Sequence, residues 1–181
     1  MKFNSTEFEG LYVIDPDPFK DDRGQFFRVF CKNSFEEIGH TKEFVQINQS
    51  MNKFKGTFRG FHYQLQPSSE VKLVRCISGK LLDVVVDVRK NSKTFLQHFI
   101  VELSEENKKL FYIPEGFAHG FITLTDNAHL VYYVTANYNP DLEQSLNIKD
   151  PLLDIQLPID IISISEKDKK TKFIDSSFKG I

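Results

Sequence analysis

From about residue 44 to residue 138 the chain is one short apolar run after another, each closed by a polar or glycine-bearing turn, with no long helical pattern between them. Residues 72–77 and 80–88 flank Ser78-Gly79, which reads as a hairpin. Residues 99–103 and 110–114 flank a polar turn, and 119–124 and 129–134 flank Asp126-Asn127. Strands at this spacing predict an all-β fold, a sandwich or barrel of the jelly-roll kind. Helices belong only to the ends. Ser34 and Glu37 have capping-box spacing with Gly39 as a stop, and a second capped helix starts at Ser165. Pro151 and Pro158 break the less regular tail. With no repeat, low-complexity run or linker, residues 1–181 read as one domain, long enough for one full core.

The charge balance narrows the function. A net charge of -2, with lysines scattered rather than striped, excludes a basic nucleic-acid surface, so any anionic ligand must be held by a local cluster. Cys31 and Cys76 lack Cys-x-x-Cys spacing and read as free thiols of a reducing cytoplasm. The opening residues carry an early acid and no apolar run, unlike a secretory leader, and no stretch approaches the ~18 apolar residues of a membrane span. The 18 phenylalanines and absence of tryptophan speak of core volume, not of function.

Two strings carry the chemistry, 58–64 (FRGFHYQ) and 116–121 (GFAHGF), each setting a histidine beside glycine and aromatic residues. A histidine in a strand is often a hydrogen-bonded structural residue. Around His62, however, Arg59, Gln64 and Lys72 crowd one region, which is costly unless they line a polar cavity. If period two holds, Gly60, His62 and Gln64 share a face. His119 lies between Gly116 and Gly120, where it either satisfies a turn carbonyl or faces a site approached closely by backbone. Asp83 interrupts an apolar strand and, if turned inward, needs Lys72 or His119 as partner. Tyr132 and Tyr138 have an ordinary packing role open to them. Asp168, three residues after Ser165, fits a helix cap, and the residues alone favour that role over orienting a histidine. No His-x-His occurs and Gln64 stands two after His62, so no facial metal-ligand set assembles locally.

Taken in order, these strings resemble the dTDP-4-dehydrorhamnose 3,5-epimerase family. The resemblance runs from 19–27 (FKDDRGQFF) through 44–50, 58–64, 72–75, 82–89 and 113–121, and closes at Tyr132, 138–140, 149–151 and 165–168. It implies a cupin-type jelly-roll barrel with a few short helices at the N- and C-terminal parts, acting as a cofactor-independent isomerase and metal-free. The implied substrate is a nucleotide-diphosphate 4-keto sugar, and the implied assembly a homodimer whose partner lends an N-terminal strand or loop to the site. By resemblance His62 matches the general base, Asp168 its paired carboxylate, Tyr132 the acid on the other face of the sugar, and Lys72 the residue beside the ketone oxygen. Arg59 matches a diphosphate contact, and His119, Asp83 and Tyr138 match further lining residues. Arg23, Phe26, Gln46 and Asn48 match positions around nucleotide and sugar.

Arg28 departs from the pattern, because family members commonly carry a glutamate there, in the region that meets the nucleotide. That exchange keeps open a GDP-linked 4-keto-heptose of capsule or lipopolysaccharide pathways beside the dTDP-linked 4-keto-6-deoxyhexose. Inversion of one carbon instead of two, a ketoisomerase of the same fold, and a catalytically silent sugar-nucleotide-binding module are the other readings.

Overall fold

The computed structural model describes all 181 residues and is built almost wholly of antiparallel strands. One sheet has six strands in the order β1 (Lys2–Ser5), β2 (Tyr12–Asp15), β10 (Leu110–Ile113), β7 (Lys72–Ser78), β12 (Ala128–Val134) and β5 (Gln46–Asn52). The other has five: β13 (Glu143–Ser145), β6 (Phe58–Gln64), β11 (Phe117–Thr123), β8 (Lys80–Asp87) and β9 (His98–Ser104). A separate hairpin pairs β3 (Phe19–Asp21) with β4 (Gly24–Phe26), and two short helices, α1 (Lys32–Glu36) and α2 (Glu166–Lys169), complete the chain.

From β5 onward the chain alternates between the sheets at every step but β8 to β9, so β7 and β8 lie in different sheets and pair with other strands. Ser78-Gly79 is therefore a corner between sheets and not the expected hairpin. Gly79 allows the corner, because it holds φ +71° and a Cβ there would lie 2.4 Å from Thr125 Oγ1. The turns between β9 and β10 and between β11 and β12 also cross. Only β8 and β9, joined through 88–97, form a true hairpin in this region.

Alternation decides what the two sheets enclose. Val74 and Cys76 of β7, Leu130 of β12, Leu81 and Val85 of β8, and Phe117 and Phe121 of β11 meet in the apolar interior. Phe58, Phe61, Val84, Val86 and Ile122 face outward from the five-stranded sheet, where the tail covers them through Leu146, Ile148 and Leu153. On the outer face of the other sheet, α1 buries Phe35 against Ile14, Leu73 and Leu110. Each fully buried phenylalanine of this kind contributes about 1.5–3 kcal/mol.

Three local expectations change. Helix α1 begins after Cys31 with no side-chain cap, its N-cap three residues ahead of the expected Ser34, and it carries Phe35 into the outer core. Gly39, at φ +82°, ends the turn as expected. Strand β6 does not keep period two: His119 pairs with His62 and Phe121 with Arg59, so Gly60 and Phe61 on β6 oppose Gly120 alone on β11. The bulge turns Arg59 and His62 to the same interior while Phe58 and Phe61 both face out. It sits at Gly60 (φ +126°), where a Cβ would lie 2.5 Å from the Gly120 Cα. Only paired glycines allow the two strands this close. Beyond the bulge the phase holds, and Gln64 lines the same compartment as His62, its amide donating to the Ser68 and Asn137 carbonyls and accepting from the Asn139 N–H.

Candidate active site

The polar end of the interior is a cleft of about 630 Å³ between the sheets, lined among others by Arg59, His62, Lys72, His119, Tyr132 and Asp168. A smaller compartment of about 290 Å³ adjoins it and shares His62, Lys72 and Tyr132; Gln46, Asn48 and Tyr138 line its far side. His62 and His119 come from the five-stranded sheet, whereas Lys72 and Tyr132 come from the six-stranded one. A ring-sized ligand in the cleft is thus approached from two sides by groups on different sheets.

Of the two roles that compete for the Asp168 carboxylate in the sequence, it takes the histidine. The cap is made by the serine, whose Oγ accepts from the Asp168 backbone N–H at the start of α2, while the Asp168 side chain lies 2.7 Å from His62 Nε2. Burial pushes the Asp168 carboxyl up, but His62, the Ser165 hydroxyl and the Gly60 amide together hold it below the usual carboxylate range. An ionised carboxylate can only accept, so the His62 proton sits on Nε2 and Nδ1 keeps its lone pair. His62 is partly open to the cleft, its side chain 31% exposed against 4% for Asp168.

A second imidazole–carboxylate pair lies deeper. His119 Nε2 is 2.8 Å from Asp83 Oδ1, with the side chains 8% and 0% exposed, but the N–H is not aligned and neither Asp83 oxygen has a well-formed hydrogen bond. Burial raises the Asp83 carboxyl above its ordinary value, against the opposing charges of His119 and Lys72. Asp83 does turn inward, and its partners are the two candidates the sequence offers.

Burial also raises the Tyr132 phenol; Glu70 and Glu143 add to this and Arg59 opposes it. The hydroxyl is therefore a proton donor across the neutral range. Arg59 Nε donates to Asn52 Oδ1 at 2.8 Å, which steadies the guanidinium at the rim. Gln46 Nε2 donates to Asn48 Oδ1 at 2.8 Å on alternate residues of β5. Tyr138, largely exposed, donates to Glu143 Oε2 at 3.3 Å, and Lys167 pairs with the same carboxylate.

The N-terminal candidates lie elsewhere. Arg23 pairs with Asp21 at the tip of the β3–β4 hairpin, Phe26 is 74% exposed, and Arg28 lines a separate depression beside α1 with Phe3 and Glu37. None of the three lines the cleft of this chain. Conversely, Glu70, Glu143 and Lys167 line it without having been singled out. Glu70 was signalled by its place two residues before Lys72, whereas Glu143 and Lys167 are surface-like in sequence and meet only in the fold. No three or more His, Cys, Asp or Glu side chains gather in a metal-binding cluster.

An ionised carboxylate behind an imidazole, with a protonated phenol on the opposing sheet, is a set of groups able to move protons, held in a cupin-type jelly-roll fold. A family model described as dTDP-4-dehydrorhamnose 3,5-epimerase matches residues 5–176. The chain is 42% identical over 180 residues to the dTDP-4-dehydrorhamnose 3,5-epimerase of Shigella flexneri, covering 98% of this chain and 99% of that one. The crystal structure of the enzyme so named from Elizabethkingia anophelis NUHP1 superposes with a TM-score of 0.92 at 39% identity, covering 98% of both chains. The dTDP-6-deoxy-D-glucose-3,5-epimerase of Legionella pneumophila Philadelphia 1, solved with dTDP-4-keto-L-rhamnose, gives 0.91 at 40% identity over 99% of this chain and 97% of that one. The chain belongs to the dTDP-4-dehydrorhamnose 3,5-epimerase family and is an epimerase, an enzyme of the isomerase class.

Proposed function

We propose that the protein, acting as one domain, inverts the two carbons flanking the ketone of a dTDP-linked 4-keto-6-deoxyhexose, by proton abstraction at His62 and delivery from Tyr132. The observation that carries this is the placement of imidazole and phenol on opposing sheets of one cleft. A 4-keto group acidifies the C–H bonds on both neighbours. His62 Nδ1 takes one such proton, leaving an enolate; the imidazolium is stabilised by Asp168. Lys72 sets positive charge beside the developing oxyanion, where one such donor is typically worth about 3–4 kcal/mol. Tyr132 then protonates the carbon from the other face, and inversion follows. Arg59, with His119, Gln46, Asn48 and Tyr138 around it, holds the diphosphate and sugar, and Asp83 backs His119 from inside the wall.

We place Arg23, Phe26 and Arg28 in the site of a partner subunit of a homodimer. Supporting this, Phe19 and Phe26 on the β3–β4 hairpin are 65% and 74% exposed, and the edge strand β5 presents Ile47 and Met51 outward. The names of the relatives favour dTDP over a GDP-linked heptose, and the rhamnose-type product suits assembly of bacterial surface polysaccharide in the cytoplasm. The structural neighbours include a 3'-monoepimerase from Streptomyces bikiniensis, with a TM-score of 0.87 at 35% identity over 93% of this chain and 85% of that one. The number of centres inverted is therefore measured directly. Incubation in heavy water with dTDP-4-keto-6-deoxyglucose is expected to introduce two deuterium atoms, read by mass. One deuterium reassigns the chain to a single centre. Turnover of only a GDP-linked 4-keto-heptose overturns the nucleotide, and no exchange with either sugar leaves a binding module.

A further inference from the structure

We infer that Glu70 is a positioning residue for the epimerisation: it anchors the Lys72 ammonium where the two compartments meet and supplies the negative charge facing the Tyr132 hydroxyl. The inference rests on the roles given above to Lys72 and Tyr132, and adds a carboxylate that serves both.

Val71, between Glu70 and Lys72, turns its side chain into the outer core with Phe35 and Leu73, so its two neighbours share the inner face. Glu70 Oε1 lies 3.2 Å from Lys72 Nζ, with side chains 11% and 10% exposed. No other carboxylate lies within ion-pair distance of this ammonium; Asp83 acts on it only at longer range. An ammonium at this depth is costly without a partner, and its four-carbon stem has no fixed direction of its own. Stabilising an enolate oxygen requires the positive charge to stand at one point before the charge develops, and Glu70 supplies that anchor.

The same carboxylate lines the smaller compartment together with Tyr132, which stands on the strand next to β7. The other charged groups around the phenol are Arg59 and His62 (the latter paired with Asp168) from β6, Lys72 from β7, His119 from β11, and Glu143 from β13 with Lys167 of α2 paired to it. Among the neighbouring charges acting on the phenol, Glu70 is the strongest and favours the protonated form, Glu143 acts in the same direction more weakly, and Arg59 opposes them. A phenol kept protonated until the enolate has formed is what delivery from the second face requires.

The test is Glu70→Gln, which keeps size and removes charge. Expected are a kcat about tenfold lower with KM within about twofold, and an alkaline limb of the pH profile moved to lower pH, because the phenol loses the neighbour that favours its protonated form. Glu70→Asp is expected to restore the limb in part. In a Lys72→Met background, Glu70→Gln is expected to lower kcat by less than about twofold, since its partner is gone. Unchanged kcat and pH limb, or a full loss in the Lys72→Met background, overturns the inference while wild-type deuterium exchange stands. Absence of wild-type exchange overturns it together with the reading on which it rests.

Discussion

The two imidazole–carboxylate pairs sit side by side on β6 and β11, where His62 and His119 are register partners, and their closest atoms are 2.7 and 2.8 Å apart. Their surroundings differ in kind. Asp168 is fixed by a helix cap, receives aligned donors and stays ionised behind a histidine that opens to the cleft. Asp83 is sealed in the barrel wall without an aligned donor, and its carboxyl is pushed toward the neutral form. The same two functional groups give an ionised carboxylate behind an open imidazole in one place and a carboxyl pressed toward neutrality in the other, because solvation and hydrogen bonding, not identity, set protonation.

The largest expected effect that separates the two is on exchange. His62→Ala should abolish deuterium uptake at both carbons, roughly 10³–10⁴-fold, whereas His119→Ala should lose far less. Equal losses would erase the distinction between the pairs. Asp168→Asn should follow with roughly a 10²–10³-fold fall in kcat, since the amide no longer fixes the Nε2 proton or stabilises imidazolium. Tyr132→Phe should retain exchange yet return substrate with its original configuration, at an inversion rate roughly 10²-fold lower, read by product NMR.

The smallest effect is on stability, and its sign differs between the pairs. The lowered Asp168 carboxyl stabilises the fold above the ordinary carboxylate value, a contribution lost as pH falls through the lowered native value. The raised Asp83 carboxyl destabilises the fold when ionised, and acid relieves this. Asp83→Asn should thus raise Tm at pH 7 by a few °C, shrinking toward zero in acid, while Asp168→Asn should lower it. Scanning calorimetry across pH checks both signs.

The strands themselves were legible, because alternation and turn residues are local and the inner faces of β7, β8, β11 and β12 follow it. Their sheet membership was not. Ser78-Gly79 states that the chain reverses, and only the packing of both faces decides which sheet receives the next strand. Period two failed at Gly60, where a bulge turns Arg59 and His62 inward together; a glycine inside a strand was the available sign. The Ser165 cap was legible from its spacing, and the pairing of Asp168 with His62 only through the family resemblance, since the two lie 106 residues apart. Arg23, Phe26 and Arg28 show the limit from the other side: the resemblance names them, while their own chain gives them no cleft to line.

That separation of 106 residues makes the pair a product of tertiary docking alone. Helix α2 takes no part in either sheet, so local opening of that one turn would withdraw the carboxylate from the imidazole while the strands that line the cleft keep their pairing.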